Sequence, residues 1–125
     1  MDRGNVKYHM QVIRVGPQVP SFVESGVLIF FGSQAPIELA DSAIIHDGGG
    51  LLEEIRSGDY IMIDNNLFEI TAVGHVVNSN LANLGHLVVR NTGKLQVDKP
   101  GEVSIEERVL PEIRVGSTVQ IVHGK

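Results

Sequence analysis

Five histidines are the side chains of this 125-residue chain that change charge near neutrality at their ordinary pKa. One of them, His46, closes an apolar run and opens a glycine-rich turn, Ala43-Ile44-Ile45-His46-Asp47-Gly48-Gly49-Gly50. An imidazole at the mouth of a buried strand can serve as nucleophile, base or metal ligand. The glycines beside it leave backbone N–H groups free to converge on an anion, since no Cβ obstructs them. The bland reading is a wide, flexible turn. The run is not a phosphate-binding P-loop, because no Gly-Lys-Ser/Thr follows.

The other histidines offer less. His75 follows Gly74 and His86 follows Gly85, so the two bracket a predicted helix and could approach a common point. A metal would need a third ligand, which His46 or Asp47 could supply, but the spacing follows no metal signature. His9 and His123 read as ordinary strand or surface residues. The chain has no cysteine, which excludes disulfides, thiolate metal sites and cysteine nucleophiles. No Gly-x-Ser-x-Gly elbow is present. The pairs Glu53-Glu54 and Glu106-Glu107 are adjacent in sequence, so each is expected to splay onto a solvated face.

The composition, 42% hydrophobic and 20% charged, is that of a folded protein, and the length suits one domain over residues 1–125. Net charge is −5 and the ten Lys and Arg residues are scattered, which argues against nucleic acid as a partner. An acidic balance suits small molecules, or a basic protein steered by charge. No N-terminal segment resembles a signal peptide, and no run approaches the ~18 apolar residues of a membrane helix. A cytoplasmic location is the simplest expectation. The apolar Val27–Phe31 would suit a subunit contact in a homo-oligomer if it lay at a sheet edge.

Short Val- and Ile-rich runs bounded by Gly, Pro or Asn predict strands at Tyr8–Val15, Val27–Phe31, Ala43–His46, Tyr60–Ile63, Leu67–Val73, His86–Asn91, Glu102–Ile105 and Thr118–Val122. Asp64-Asn65-Asn66 predicts a tight hairpin. Helix is scarce. Pro36–Asp41 can form one or two turns, and Asn78–Leu84 a short helix capped by Asn78 or Ser79 and ended by Gly85. The fold class is therefore all-β. Many short strands with one or two short helices favour a closed or nearly closed β-barrel, with a sandwich as the alternative.

Ile70-Thr71-Ala72-Val73-Gly74, followed by Asn80-Leu81 and Leu84-Gly85-His86, is more specific than any generic motif. Together with Ile45-His46, it resembles the glucitol/sorbitol-specific enzyme IIA component of the bacterial phosphoenolpyruvate-dependent sugar phosphotransferase system. Ile13-Arg14-Val15-Gly16, Ala35-Pro36, Pro100-Gly101-Glu102-Val103 and Val115-Gly116-Ser117-Thr118-Val119 match in order, so the resemblance runs from about Gln11 to Val122.

The resemblance implies a cytoplasmic, barrel-like phosphoryl carrier. It would accept a phosphoryl group from the phosphocarrier HPr on His46 and pass it to the IIB and IIC permease components, its association with the membrane being only indirect. The sugar would bind the permease, not this chain, and no metal or other cofactor is required. The family carries a second histidine two residues after the acceptor, where this sequence has Gly48. His86 is then the candidate supporting histidine, and His75 is demoted. Attack is expected through Nε2, with backbone N–H groups at Gly48 and Gly49 holding the phosphoryl oxygens. Two other readings stay open: a non-enzymatic ligand- or metal-binding barrel using His46, His75 and His86, and a regulatory protein that keeps the carrier fold without transfer.

Overall fold

The computed structural model describes residues 5–124. Its strands are β1 (Val6–Val15), β2 (Val27–Gly32), β3 (Ile44–His46), β4 (Tyr60–Ile63), β5 (Asn66–Val73), β6 (Leu87–Arg90), β7 (Glu102–Ile105) and β8 (Thr118–Val122). They close into a barrel in the order β1-β3-β2-β6-β7-β5-β4-β8, with β8 returning to β1. The pairs β2–β3 and β6–β7 are parallel, and the others are antiparallel. Closure leaves no free edge, which answers the difficulty every sheet faces with unpaired N–H and C=O groups. Val27–Phe31 lies in β2, paired to β3 on one side and β6 on the other. The edge contact considered for it is therefore ruled out.

Alternation along β1 shows how the core is made. Tyr8, Met10 and Val12 point inward and are buried, while His9, Gln11 and Ile13 face out. They meet Phe30, Ile44, Ile61, Phe68, Leu87, Val103 and Val119 in one continuous apolar cluster. Lys7, at the irregularity in the β1–β8 pairing between Val6 and Tyr8, is also buried and bonds to residues of 47–59, the connection from β3 to β4. Its ammonium lies 2.8 Å from Asp59 Oδ2 and 2.8 Å from the Glu54 carbonyl.

The helices depart from expectation in instructive ways. α1 (Val19–Glu24) arises where no helix was predicted; Pro20 falls in its first turn, where a missing N–H breaks no intrahelical bond. Pro36–Asp41 yields only a 3-10 turn, Ile37–Leu39. α2 (Val77–Leu84) is present, but neither Asn78 nor Ser79 caps it. Asn78 instead clamps Ile55, accepting from its N–H at 2.7 Å and donating to its carbonyl at 3.2 Å. That bond ties the covering connection to α2. Gly85 does end the helix, in the left-handed region at φ 63°. The hairpin between β4 and β5 also forms as expected, with Asp64 taking the positive φ of 52°.

Candidate functional site

His46 is the last residue of β3 and is held between Gly32 on β2 and Val12 on β1. Its side chain is fully buried. Nε2 lies 2.7 Å from the Gly85 carbonyl, and Nδ1 accepts the Gly48 N–H at 2.8 Å. A carbonyl can only accept, so Nε2 carries the proton and Nδ1 the lone pair. At rest, Nε2, the nitrogen expected to attack, is therefore bonded to the Gly85 carbonyl, and Nδ1 is bonded to the Gly48 N–H.

Three glycines make this geometry possible. The left-handed cap turns the Gly85 carbonyl away from the helix and onto the imidazole. A Cβ there would lie 2.9 Å from His46 Cε1 and 3.0 Å from Gly32 Cα. A Cβ on Gly48 would lie 2.8 Å from Nδ1 and 2.6 Å from the Tyr8 hydroxyl. Gly32 in turn lets the end of α2 approach, since its Cβ would meet the Leu84 carbonyl at 2.8 Å.

Burial lowers the His46 pKa below its ordinary value; the Gly85 carbonyl and the Asp47 carboxylate oppose this only in part. The imidazole is therefore neutral at pH 7. Depression of a histidine pKa means that the unfolded chain binds the proton first, so the folded state loses stability as pH falls below about 6.5. The Asp47 carboxylate accepts the Gln11 N–H at 2.9 Å. Tyr8 and Phe30 present edge contacts to the imidazole, with ring centroids at 6.0 and 6.4 Å.

The ring borders a cleft of about 440 Å³ lined by Tyr8, Ser33, Gln34, Asn83 and Leu84 among others, with no lysine or arginine. A neutral imidazole at the wall of an open cleft, its Nε2 held by a carbonyl and its Nδ1 lone pair covered only by a backbone N–H, has the chemistry of a candidate nucleophile.

The family model for the PTS system glucitol/sorbitol-specific IIA component matches residues 7–120. The chain belongs to that family. Glucitol/sorbitol-specific EIIA components of the phosphotransferase system from Shigella flexneri and Escherichia coli (strain K12) are each 30% identical to it over 115 residues. These cover 92% of this chain and 94% of theirs. The crystal structure of a PTS system IIA component from Enterococcus faecalis V583 superposes with a TM-score of 0.79 at 23% identity. It covers 91% of this chain and 98% of its own, and supports the closed-barrel fold. No helix among the described residues is long and apolar enough to cross a membrane.

Within this IIA component the residues singled out from sequence separate. His86 lines a different groove, with Val27, Arg90 and Glu102. Its Nδ1 is 3.1 Å from the Phe30 carbonyl, and its ring stacks on Phe31 at 4.5 Å between centroids. Because Phe31 also lines the His46 cleft, His86 reaches the site only through that ring. His75 is exposed in the turn before α2. Among the described residues no three His, Asp or Glu side chains are gathered as a metal would need, which removes the geometric basis for the His46, His75 and His86 set. Gly48 touches Nδ1 and Gly50 lines the cleft, whereas Gly49 is exposed with no atom near its Cβ direction. Sequence reasoning missed Tyr8, and treated Gly85 as a helix stop without seeing that its carbonyl fixes the imidazole.

Proposed function

We propose that His46 accepts a phosphoryl group from phospho-HPr and passes it to the IIB and IIC permease components, for uptake and phosphorylation of glucitol/sorbitol. The observation that carries this reading is the Nε2–H bond to the Gly85 carbonyl. It commits the proton to Nε2 and puts the ring's one lone pair on Nδ1, where the Gly48 N–H covers it at rest.

In the transfer, the Nδ1 lone pair forms a new N–P bond. The donor's N–P bond breaks, and its electron pair returns to the donor's ring nitrogen. The His46 ring becomes a phosphoimidazolium, with its positive charge facing the Gly85 carbonyl through Nε2–H. No proton has to move on His46. The Gly48 N–H, which covers Nδ1 at rest, turns to a phosphoryl oxygen as the bond forms. The segment has room for this: Gly49 and Gly50 have nothing within 4 Å of a Cβ position. His86 serves as a positioning residue, keeping Phe31 in place as a wall of the cleft.

Leu84, half exposed at the cleft mouth, and Ile37, 83% exposed on the neighbouring turn, supply apolar contacts for a transient partner. The chain's net charge of −5 steers a basic docking face toward it. The protein works in the cytoplasm, where its partners would deliver and collect the phosphoryl group.

The test is reconstitution of the wild-type protein with labelled phosphoenolpyruvate, enzyme I and HPr. Stoichiometric, acid-labile label that appears only when HPr is present is the expected result. A wild-type protein that stays unlabelled overturns the carrier reading and leaves the regulatory one.

A further inference from the structure

Asp47-Gly48 is the single Asp-Gly pair of the chain, and no Asn-Gly pair occurs in it. Such a pair can close on itself. The glycine nitrogen attacks the aspartate side-chain carbon, and the missing Cβ removes the obstruction that another residue would place in the way. The reaction is slow where the segment is locked in a helix or strand, or where the amide proton has no base to receive it. Neither restraint acts here. Asp47 is exposed, and residues 47–50 lie outside every helix and strand. No atom lies within 4 Å of a Cβ position at Gly49 or Gly50, so the chain after Gly48 has room to turn. The Gly48 N–H already points at a base, donating to Nδ1 of the neutral His46 ring at 2.8 Å. The electrophile is held too. Asp47 Oδ1 accepts the Gln11 N–H at 2.9 Å, and the Asp47 N–H donates to the Gln11 carbonyl at 3.2 Å. Oδ2, which would have to leave, has no hydrogen bond among the described residues.

The geometry points to Asp47-Gly48 as a site of covalent self-modification, in which His46 is the base that lets the Gly48 nitrogen close on the Asp47 side chain and turn it into isoaspartate. The Gly48 nitrogen gives its proton to Nδ1 as the N–Cγ bond forms. Oδ2 takes one proton from solvent and a second from the His46 imidazolium, and departs as water when its bond to Cγ breaks. His46 is returned neutral beside a succinimide ring. Water then adds to the ring. Addition at Cγ breaks the new bond and restores aspartate. Addition at the Asp47 main-chain carbonyl carbon breaks its bond to the Gly48 nitrogen and leaves the backbone running through the side chain, longer by a methylene. The added atom displaces Gly48, and its N–H bond to His46 is lost. This chemistry needs no phosphoryl donor and is independent of the carrier reading.

The test is incubation of the purified protein at neutral pH, with isoaspartate measured by enzymatic methylation of its carboxyl and located by peptide mass spectrometry. Isoaspartate is expected at Asp47 and not at the other aspartates. Folded His46→Gln should form it roughly tenfold more slowly, the low end of what a positioned base contributes. Wild type unfolded in urea should be slowed to a similar degree, because the ring is no longer held on the Gly48 N–H; this comparison needs no variant. Asp47→Glu, which would have to close a larger ring, should take up no methyl groups. Wild type that forms no isoaspartate at Asp47 overturns the proposal, as does methylation that persists in Asp47→Glu. Equal rates in folded wild type, folded His46→Gln and unfolded wild type overturn it as well, since the imidazole is then not the base.

Discussion

Replacing His46 by Ala is expected to reduce phosphoryl acceptance from HPr to background while the barrel stays folded. The chemical argument is that no second nucleophile can substitute. His86 borders another groove, His75 lies in an exposed turn, and residue 48 is glycine. The structural argument concerns what the missing ring leaves behind. The Gly85 carbonyl and the Gly48 N–H both lose a partner, but both residues line the open cleft, where water can replace the imidazole. A destabilisation of about 1–3 kcal/mol follows from the lost contacts, well short of unfolding a domain of this size. Circular dichroism and a urea titration check the fold, and the labelling mixture checks the chemistry. His46→Gln, which restores some of the lost volume, should be equally inactive. Label retained on either variant would move the chemistry to another residue.

The largest stability effect is expected far from the nucleophile, at Lys7. Its ammonium and the Asp59 carboxylate are both buried, 2.8 Å apart. Asp59 also accepts the Arg56 N–H at 2.8 Å and the Gly124 N–H at 3.0 Å, so one carboxylate ties β1, the β3–β4 connection and the end of the chain. Burial pushes the Asp59 pKa up, but the Lys7 ammonium and these two N–H groups outweigh it and hold the carboxyl below its usual range. Lys7→Ala removes the cation and leaves a buried carboxylate, a change that costs about 3–5 kcal/mol. Urea denaturation at pH 7 should show that loss. Since a depressed carboxyl pKa contributes stability above its unfolded value, the gap between wild type and variant should narrow as pH falls below about 4. A gap that stays constant down to pH 2 would separate the effect from the ion pair. Since Lys7 supports the connection that carries Gly48, some loss of phosphorylation should accompany the loss of stability.

How much of this could be read from sequence depends on whether the cause is local. The strands were legible because alternation is local: Met10 and Val12 in, Gln11 and Ile13 out, is written into β1 itself. The closed barrel followed from many short strands and few helices. α1 was not legible, because Val19-Pro20 looks like a connection until the packing of Val19 against the core is known. Asn78 was misread for the related reason that its side chain has two possible bonds. The local one, to its own helix, lost to a distant one at Ile55.

The site divides in the same way. His46 stood out from its own neighbours, an apolar run on one side and glycines on the other. The Gly85 carbonyl, which decides which nitrogen carries the proton, lies 39 residues further along the chain. Tyr8 lies on a different strand again, and in sequence it is one more aromatic residue in an alternating pattern. Such partners come together only through barrel closure. Leu84-Gly85-His86 was recognised as a block, but the bond from its Gly85 carbonyl to the imidazole was not visible in it.

The central claim is that Nδ1 of His46 is the phosphoryl-bearing atom, with Nε2 protonated against Gly85. The direct measurement is NMR of the ¹⁵N-labelled phosphoprotein, prepared with phosphoenolpyruvate, enzyme I and HPr, correlating phosphorus with the imidazole nitrogens. A coupling from phosphorus to Nδ1 of His46, with Nε2 still carrying its proton, is the predicted result. Phosphorus on Nε2, or on any other histidine, would contradict it.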